Sequence, residues 1–391
     1  MKIAHVITRL IIGGAQENTL LTCSEQIRRG HDVHLITGPT TGPEGSLVDS
    51  ARAIDGLRID LVPDLIRRVD PWHDARAGSQ LQRRLADLRP DVVHTHSSKA
   101  GILGRRAAAK AWPRALVVHT IHGLPFHARQ NPFAHGLYTL LERRAARRTD
   151  HFISVCDAMT EEATAARIAP PEKFTTVYSG MVVDDFLHNA QPVTGVRDQM
   201  HLPAEATVVV KVARLFHLKG HADVLRAFAS LAEHHPTLYL LFVGDGVLRR
   251  RLKRLARRLG VAHRLRMAGL VTPDRVAALI HASDVLVHAS LREGLARVLP
   301  QALLSGRPAV SYDIGGAREV VHTGETGTLV APGDWHGLAR ALDELVSDRS
   351  LRRRLGERGR SLCLQRFDHR NMVEVIEQVY LKALAETGKA T

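Results

Sequence analysis

Two cations stand five residues apart in the segment Val212-Ala213-Arg214-Leu215-Phe216-His217-Leu218-Lys219-Gly220. Arg214 follows an apolar run, and Lys219 stands where the next helical pattern begins. A guanidinium, an ammonium and a helix N-terminus converging on one spot suit a diphosphate, since each offers positive charge and N–H donors. The competing reading is a solvated pair of charges. A second cluster is Arg292-Glu293-Gly294-Leu295-Ala296-Arg297-Val298-Leu299-Pro300-Gln301. The pattern predicts a helix that opens near Glu293. Glu293 then either caps that helix or accepts hydrogen bonds from sugar hydroxyls while the backbone N–H groups of Gly294, Leu295 and Ala296 face phosphate. On such a helix Gln301 lies two turns along, on nearly the same face as Glu293.

Three further segments carry the same kind of signal. Thr120-Ile121-His122-Gly123 ends an apolar run. With 23 histidines in the chain most are ordinary packing or surface residues, and His122 stands out because it sits at a strand's carboxyl end beside glycine. Ile12-Gly13-Gly14-Ala15 joins a strand to a helix and is either an anion site or only a tight turn. His94-Thr95-His96-Ser97-Ser98-Lys99 follows another strand, where His96, Ser97 and Lys99 are candidates to face an acceptor and Ser97 is equally a helix cap. Gly315-Gly316-Ala317-Arg318-Glu319 adds a flexible loop. Neither G-x-G-x-x-G nor G-x-x-x-x-G-K-[ST] occurs, which removes the main support for a dinucleotide dehydrogenase or a P-loop enzyme. No D-x-D occurs either, which fits a site where cations rather than a metal neutralise phosphate.

These residues need elements to hold them. Strands are expected at 3–8, 32–37, 91–95, 116–121, 151–155 and 174–178, with helices between, the first over 15–29. The series restarts with strands at 207–213, 238–243, 264–268, 285–289 and 309–312, and a helix from about 219 to 234. Residues 179–202 are short of regular pattern and read as a linker. Strands alternating with helices imply parallel sheets joined by right-handed crossovers. The expected architecture is α/β: a first Rossmann-like domain over 1–185, completed by a C-terminal helix at about 370–391, and a second over 200–369, the two doubly wound domains facing a central cleft. Ligands of such sheets bind at the carboxyl ends of the strands, where the segments above fall.

Composition bounds the rest. The chain of 391 residues is long for a single core, and 45% apolar content is that of a globular protein. Aromatics at 4% argue against a base-stacking nucleic-acid platform. A formal net charge of +14 suits an acidic partner: nucleic acid, an anionic membrane or a phosphorylated substrate. Arg249, Arg250, Arg251, Lys253, Arg254, Arg257 and Arg258 form a run without an acid, and Arg143, Arg144, Arg147 and Arg148 a smaller one. Cys23, Cys156 and Cys363 form neither a disulfide framework nor a zinc spacing, which suits a reducing compartment. With no signal-peptide pattern and no run of ~20 apolar residues, the expectation is a soluble cytoplasmic protein, at most peripheral on the inner face of a membrane.

Taken together the segments resemble glycosyltransferase family 4, over nearly the whole length and most strongly from Val210 to Pro332. The resemblance implies the GT-B fold and a retaining, metal-independent transferase that uses a nucleotide diphosphate sugar, a UDP- or GDP-sugar, as co-substrate without a further cofactor. It implies a glycan or lipid-linked acceptor in cell-surface polysaccharide or glycolipid synthesis, and no nucleic-acid partner. It assigns Arg214 and Lys219 of the R-x4-K-G segment to the donor diphosphate, Glu293, His122 and the Gly13–Gly14 loop to the transferred sugar and donor, and position 301 to the ribose hydroxyls. The family has a second glutamate at that place; this chain has Gln301, which hydrogen-bonds a diol without charge assistance. An epimerase or phosphorylase of the same fold, or a non-catalytic nucleotide-sugar-binding protein, are the rivals.

Overall fold

The computed structural model describes residues 1–42, 44–126, 130–188 and 191–389, and the chain divides into two compact units. The first comprises Met1–Met181 and Asp368–Thr391, the second Val182–Phe367. Residues 390–391 of the expected C-terminal segment lie outside the described residues.

The first unit is built on a seven-stranded sheet: β1 (Lys2–Ile7), β2 (Asp32–Thr37), β3 (Arg58–Leu61), β4 (Val92–His96), β5 (Leu116–Ile121), β6 (His151–Ser154) and β7 (Phe174–Thr176), in the order β3-β2-β1-β4-β5-β6-β7. All pairings are parallel. One face carries Ala4, Val6 and Val93 against the helices Pro71–Leu88 and Ser98–Ala111. On the other, Ile3, Val92, Leu116 and Val118 pack against the last helix, His369–Thr387. That helix presents Met372, Val373, Ile376, Val379, Tyr380, Ala383 and Leu384, the three- and four-residue spacing of a single apolar stripe. Asp368 caps it by accepting the Arg370 amide at 2.8 Å.

The second unit holds a six-stranded parallel sheet: β8 (Thr207–Val212), β9 (Leu238–Val243), β10 (Leu265–Gly269), β11 (Val285–His288), β12 (Ala309–Tyr312) and β13 (Gly327–Val330), in the order β10-β9-β8-β11-β12-β13. β9 (LYLLFV) and most of β8 are apolar runs, as expected of strands buried on both faces. β3 and β13 escape sequence reading because they are four-residue edge strands with little buried pattern. The stretch read as a linker contains two short helices, Asp184–Leu187 and Val193–Gln199, on either side of residues 189–190, which lie outside the described residues.

One expectation is overturned. The helix expected from Glu293 begins at Val298 and ends at Leu304, and residues 291–297 are irregular. Pro300 supplies the reason. In a helix from Glu293 its ring would sit inside, removing an N–H and striking the carbonyl four residues back, at a cost of about 3 kcal/mol or more. Starting at Val298 places it in the first turn, where neither penalty applies. Glu293 is therefore not a helix cap, and Gln301 stands in the first turn and a half of a short helix, not two turns along a common one.

Candidate functional site

In each sheet the strand order reverses direction at one point: between β1 and β4 in the first unit, between β8 and β11 in the second. Chains leaving these adjacent strands depart to opposite faces, so a crevice opens at their carboxyl ends. The Gly13–Gly14, His96–Lys99, Arg214–Lys219 and Glu293 segments leave those ends, while His122 follows the neighbouring β5 and the Gly315–Glu319 segment follows β12.

In the second unit three loops are locked together backbone to backbone. Gly220 has φ +66°, and a Cβ there would stand 1.8 Å from the Ala289 carbonyl oxygen. The Leu291 amide donates to the Leu218 carbonyl at 2.8 Å, joining the loop after β8 to the loop after β11. Gly315 has φ +48°, and a Cβ there would lie 2.4 Å from the carbonyl oxygens of Glu293 and Gly294. The Gly316 amide closes that third contact, 2.8 Å from the Gly294 carbonyl. Only glycine permits both approaches.

On this frame the Lys219 ammonium donates to Glu293 Oε1, and His288 Nε2 lies 4.0 Å from the same oxygen. Burial works to raise the Glu293 carboxyl, but His288 and the Lys219 charge outweigh it and hold it at about 2. The group is an anion and an acceptor, not an acid, at neutral pH. Arg214 is exposed, with its guanidinium carbon 5.2 Å from the centre of the Phe216 ring. Gln301 is half-buried, and its carbonyl accepts from the Ser305 amide at 3.1 Å and hydroxyl at 3.0 Å.

One residue here went unremarked in the sequence. Lys211, in the apolar run of β8, is 1% exposed, and its Nζ has no hydrogen-bond partner among the described residues. Burial, with the nearby Lys219 charge, lowers it to about 7. The signal was available: a lysine inside Val208-Val209-Val210-Lys211-Val212 has no solvent-facing side to use.

In the first unit Gly13 is extended (φ −179°) and precedes the helix Gly14–Arg28. A Cβ on Gly13 would meet only the tip of Gln16, so crowding does not demand this glycine. Ser97 precedes the helix Ser98–Ala111 but does not cap it: its hydroxyl is 2.8 Å from that of Thr8, and Thr8 accepts the Ala100 amide at 3.2 Å in its stead. Lys99 spends its ammonium on Asp74 and the Arg68 carbonyl, tying its helix to Pro71–Leu88. His96, expected to face an acceptor, is 1% exposed. Its two ring nitrogens are held by His5 Nδ1 at 2.9 Å and His122 Nε2 at 3.1 Å, so it stands behind His122 and cannot itself touch a substrate.

His5, His94 and His96 have ring nitrogens within 4.8 Å of one another. By type they could take a metal ion. All six nitrogens are nonetheless engaged: His5 Nε2 with Gln26 at 2.7 Å, His94 with Tyr380 at 2.5 Å and Thr120 at 2.6 Å, and the remainder as above. Burial lowers all three, His5 to about 4, so the rings are neutral. The cluster is a satisfied hydrogen-bond network rather than an open ligand set.

Residues 12–185 match the family described as Glycosyltransferase Family 4, and residues 196–362 that described as Glycosyl transferases group 1. A D-inositol 3-phosphate glycosyltransferase of Acidothermus cellulolyticus is 32% identical over 315 residues, 77% of this chain and 69% of that protein. The UDP-Gal:alpha-D-GlcNAc-diphosphoundecaprenol alpha-1,3-galactosyltransferase of Escherichia coli is 27% identical over 384 residues, 97% of each chain. The crystal structure of Anabaena HepE in complex with UDP and glucose aligns with a TM-score of 0.82 over 98% of this chain and 100% of that one, at 22% identity.

Proposed function

This chain belongs to glycosyltransferase family 4 and transfers a sugar from a nucleotide donor, and we propose that it does so with retention and without a metal. The donor is a UDP- or GDP-sugar, no further cofactor takes part, and the acceptor is a glycan or lipid-linked glycan of a cell-surface polysaccharide or glycolipid. The acceptor class rests on the E. coli relative, whose acceptor is a lipid diphosphate sugar.

The observation that carries this reading is the contact of Lys219 with Glu293 at the point where the second sheet reverses. A cation and an anion held at the mouth of a Rossmann-like crevice match the two ends of a sugar diphosphate. The diphosphate oxygens take Lys219 and Arg214, which neutralise the leaving group as its charge grows, a role a metal fills elsewhere. Glu293, ionised throughout the neutral range, accepts from hydroxyls of the transferred sugar. The backbone of Gly294, Leu295 and Ala296 supplies N–H groups to phosphate, and Gln301 holds the ribose. On the first unit, His122 serves the transferred sugar, Gly13 and Gly14 border the donor, and Ser97 and Lys99 lie on the acceptor side with His96 behind them. The acceptor oxygen attacks from the face the diphosphate leaves, which retains configuration. The chain works by positioning and charge.

Arg214→Ala and Lys219→Ala should each lower kcat/KM about 100-fold or more, the scale of losing one donor of preorganised charge. Wild-type values for both would dismiss the clamp. Product stereochemistry by NMR tests retention, and undiminished turnover in excess chelator tests metal independence.

A further inference from the structure

A row of buried histidines leads from the body of the first unit to His122. His5 on β1, His94 and His96 on β4, and Thr120 on β5 share one sheet face through the parallel register, in which His5 pairs with His94 and His96 with Thr120. The helix Gly14–Arg28 lays Gln26 against this row and the last helix lays Tyr380. Hydrogen bonds run in a line: Gln26 Oε1 to His5 Nε2 at 2.7 Å, His5 Nδ1 to His96 Nε2 at 2.9 Å, and His96 Nδ1 to His122 Nε2 at 3.1 Å.

The line has a direction. The Gln26 amide nitrogen is turned to Tyr380 Oη at 3.4 Å, so its oxygen faces His5 and can only accept. His5 must then carry its proton on Nε2. Burial keeps His5 neutral, so its Nδ1 has only a lone pair and needs a donor, which His96 Nε2–H supplies. His96 is neutral for the same reason, so its Nδ1 in turn accepts, and the donor there is His122 Nε2–H. In a chain of neutral imidazoles one amide orientation at the far end sets every tautomer.

We propose that Gln26, His5 and His96 are positioning residues that lock His122 in its Nε2–H tautomer, so that His122 Nδ1 acts as an acceptor for a hydroxyl of the transferred sugar. This rests on the reading above that His122 serves that sugar. The lock fixes the ring plane as well as the proton, so it acts on turnover more than on donor affinity.

The test uses the full chain labelled with 15N-histidine. The His122 signals are assigned by their loss in His122→Ala, and the tautomer is read from ring nitrogen shifts. The wild type should show Nε2–H at neutral pH. Gln26→Leu, three hydrogen bonds away, and His96→Phe should each turn His122 into a tautomer mixture. Each should lower kcat about tenfold, roughly one lost hydrogen bond, with donor KM within about twofold. Gln26→Glu, which keeps an acceptor facing His5, should restore both. Melting curves establish that the variants are folded, and should one unfold, the other carries the test. An Nδ1–H tautomer in the wild type overturns the proposal. So does an unchanged tautomer and kcat in both breaking variants, or stoichiometric zinc bound by His5, His94 and His96. Wild-type turnover in His122→Ala would instead sink the assignment of His122, while the tautomer measurement still reports on the lock.

Discussion

Gln301 is where this chain departs from the family pattern, and its setting defines what the amide can do. Its carbonyl is committed to Ser305, so any ligand contact falls to the side chain. A neutral amide contributes about 1 kcal/mol for each hydrogen bond to a diol, acting on bound donor in ground and transition states alike. Gln301→Ala should therefore raise donor KM roughly tenfold and leave kcat nearly unchanged, while Gln301→Glu should bind donor at least as well, because a carboxylate accepts stronger bonds. Steady-state kinetics on both variants decide it: donor KM unmoved in either would place the ribose elsewhere. Glu293 differs in kind, since Lys219 and His288 keep it charged.

At the scale of the element, β8 carries an internal conflict. Five of its six residues suit a buried strand, and Lys211 does not. Its lowered pKa, about 7 against an ordinary 10.5, is a statement about stability. Between about pH 7 and 10.5 the unfolded chain holds a proton that the folded chain releases, so stability rises with pH across that window. Below pH 7 both states are protonated and the cost of the buried charge is complete. Lys211→Met should thus stabilise the second unit most at pH 7 and below, on the order of a few kcal/mol, and should flatten the rise towards pH 10. Urea denaturation at pH 6.5 and pH 10 measures this, and equal pH slopes in variant and wild type would contradict it. His221, on the following helix, is also buried, but burial lowers it to about 2. It is neutral in this window and adds nothing to the slope.

For the molecule as a whole, the net charge of +14 is concentrated enough to act at a distance. The helix Arg249–Arg258 buries Leu252 and Ala256 and leaves Arg250, Arg251, Lys253, Arg254, Arg257 and Arg258 exposed; among the described residues only Arg249 of this run is in a salt bridge, with Asp245 at 3.0 Å. Among the described residues no helix is long and apolar enough to cross a membrane. Exposed cations of this density near an anionic leaflet contribute roughly 1 kcal/mol each, which would hold the enzyme beside a lipid-linked acceptor. The chain should sediment with anionic vesicles at low salt and be released at high salt, and neutral vesicles should leave it in solution. Failure to sediment at low salt would rule out this membrane association.

Sequence alone determined the alternation of strand and helix, because buried parallel strands are continuous apolar runs and the punctuation between them is local. β2, β5, β9 and β12 fall on the ranges their residues predict. It also marked Arg214, Lys219, Glu293 and His122, since strand ends and glycine neighbours are visible in one dimension. What it could not supply was anything fixed by contacts between distant segments. Where the helix after Glu293 begins depends on Pro300 and on the loop at Gly315 filling the space. That Thr8, not Ser97, caps the helix Ser98–Ala111 depends on β1 lying beside β4. Lys211 stands in a run that already reads as buried, but that its ammonium has no partner among the described residues depends on the segments packed over its strand. The histidine row exists because residues 5, 26, 96 and 122 are drawn together by sheet register and helix packing. Register is a tertiary quantity: no periodicity within one strand tells which residue of another will stand beside it.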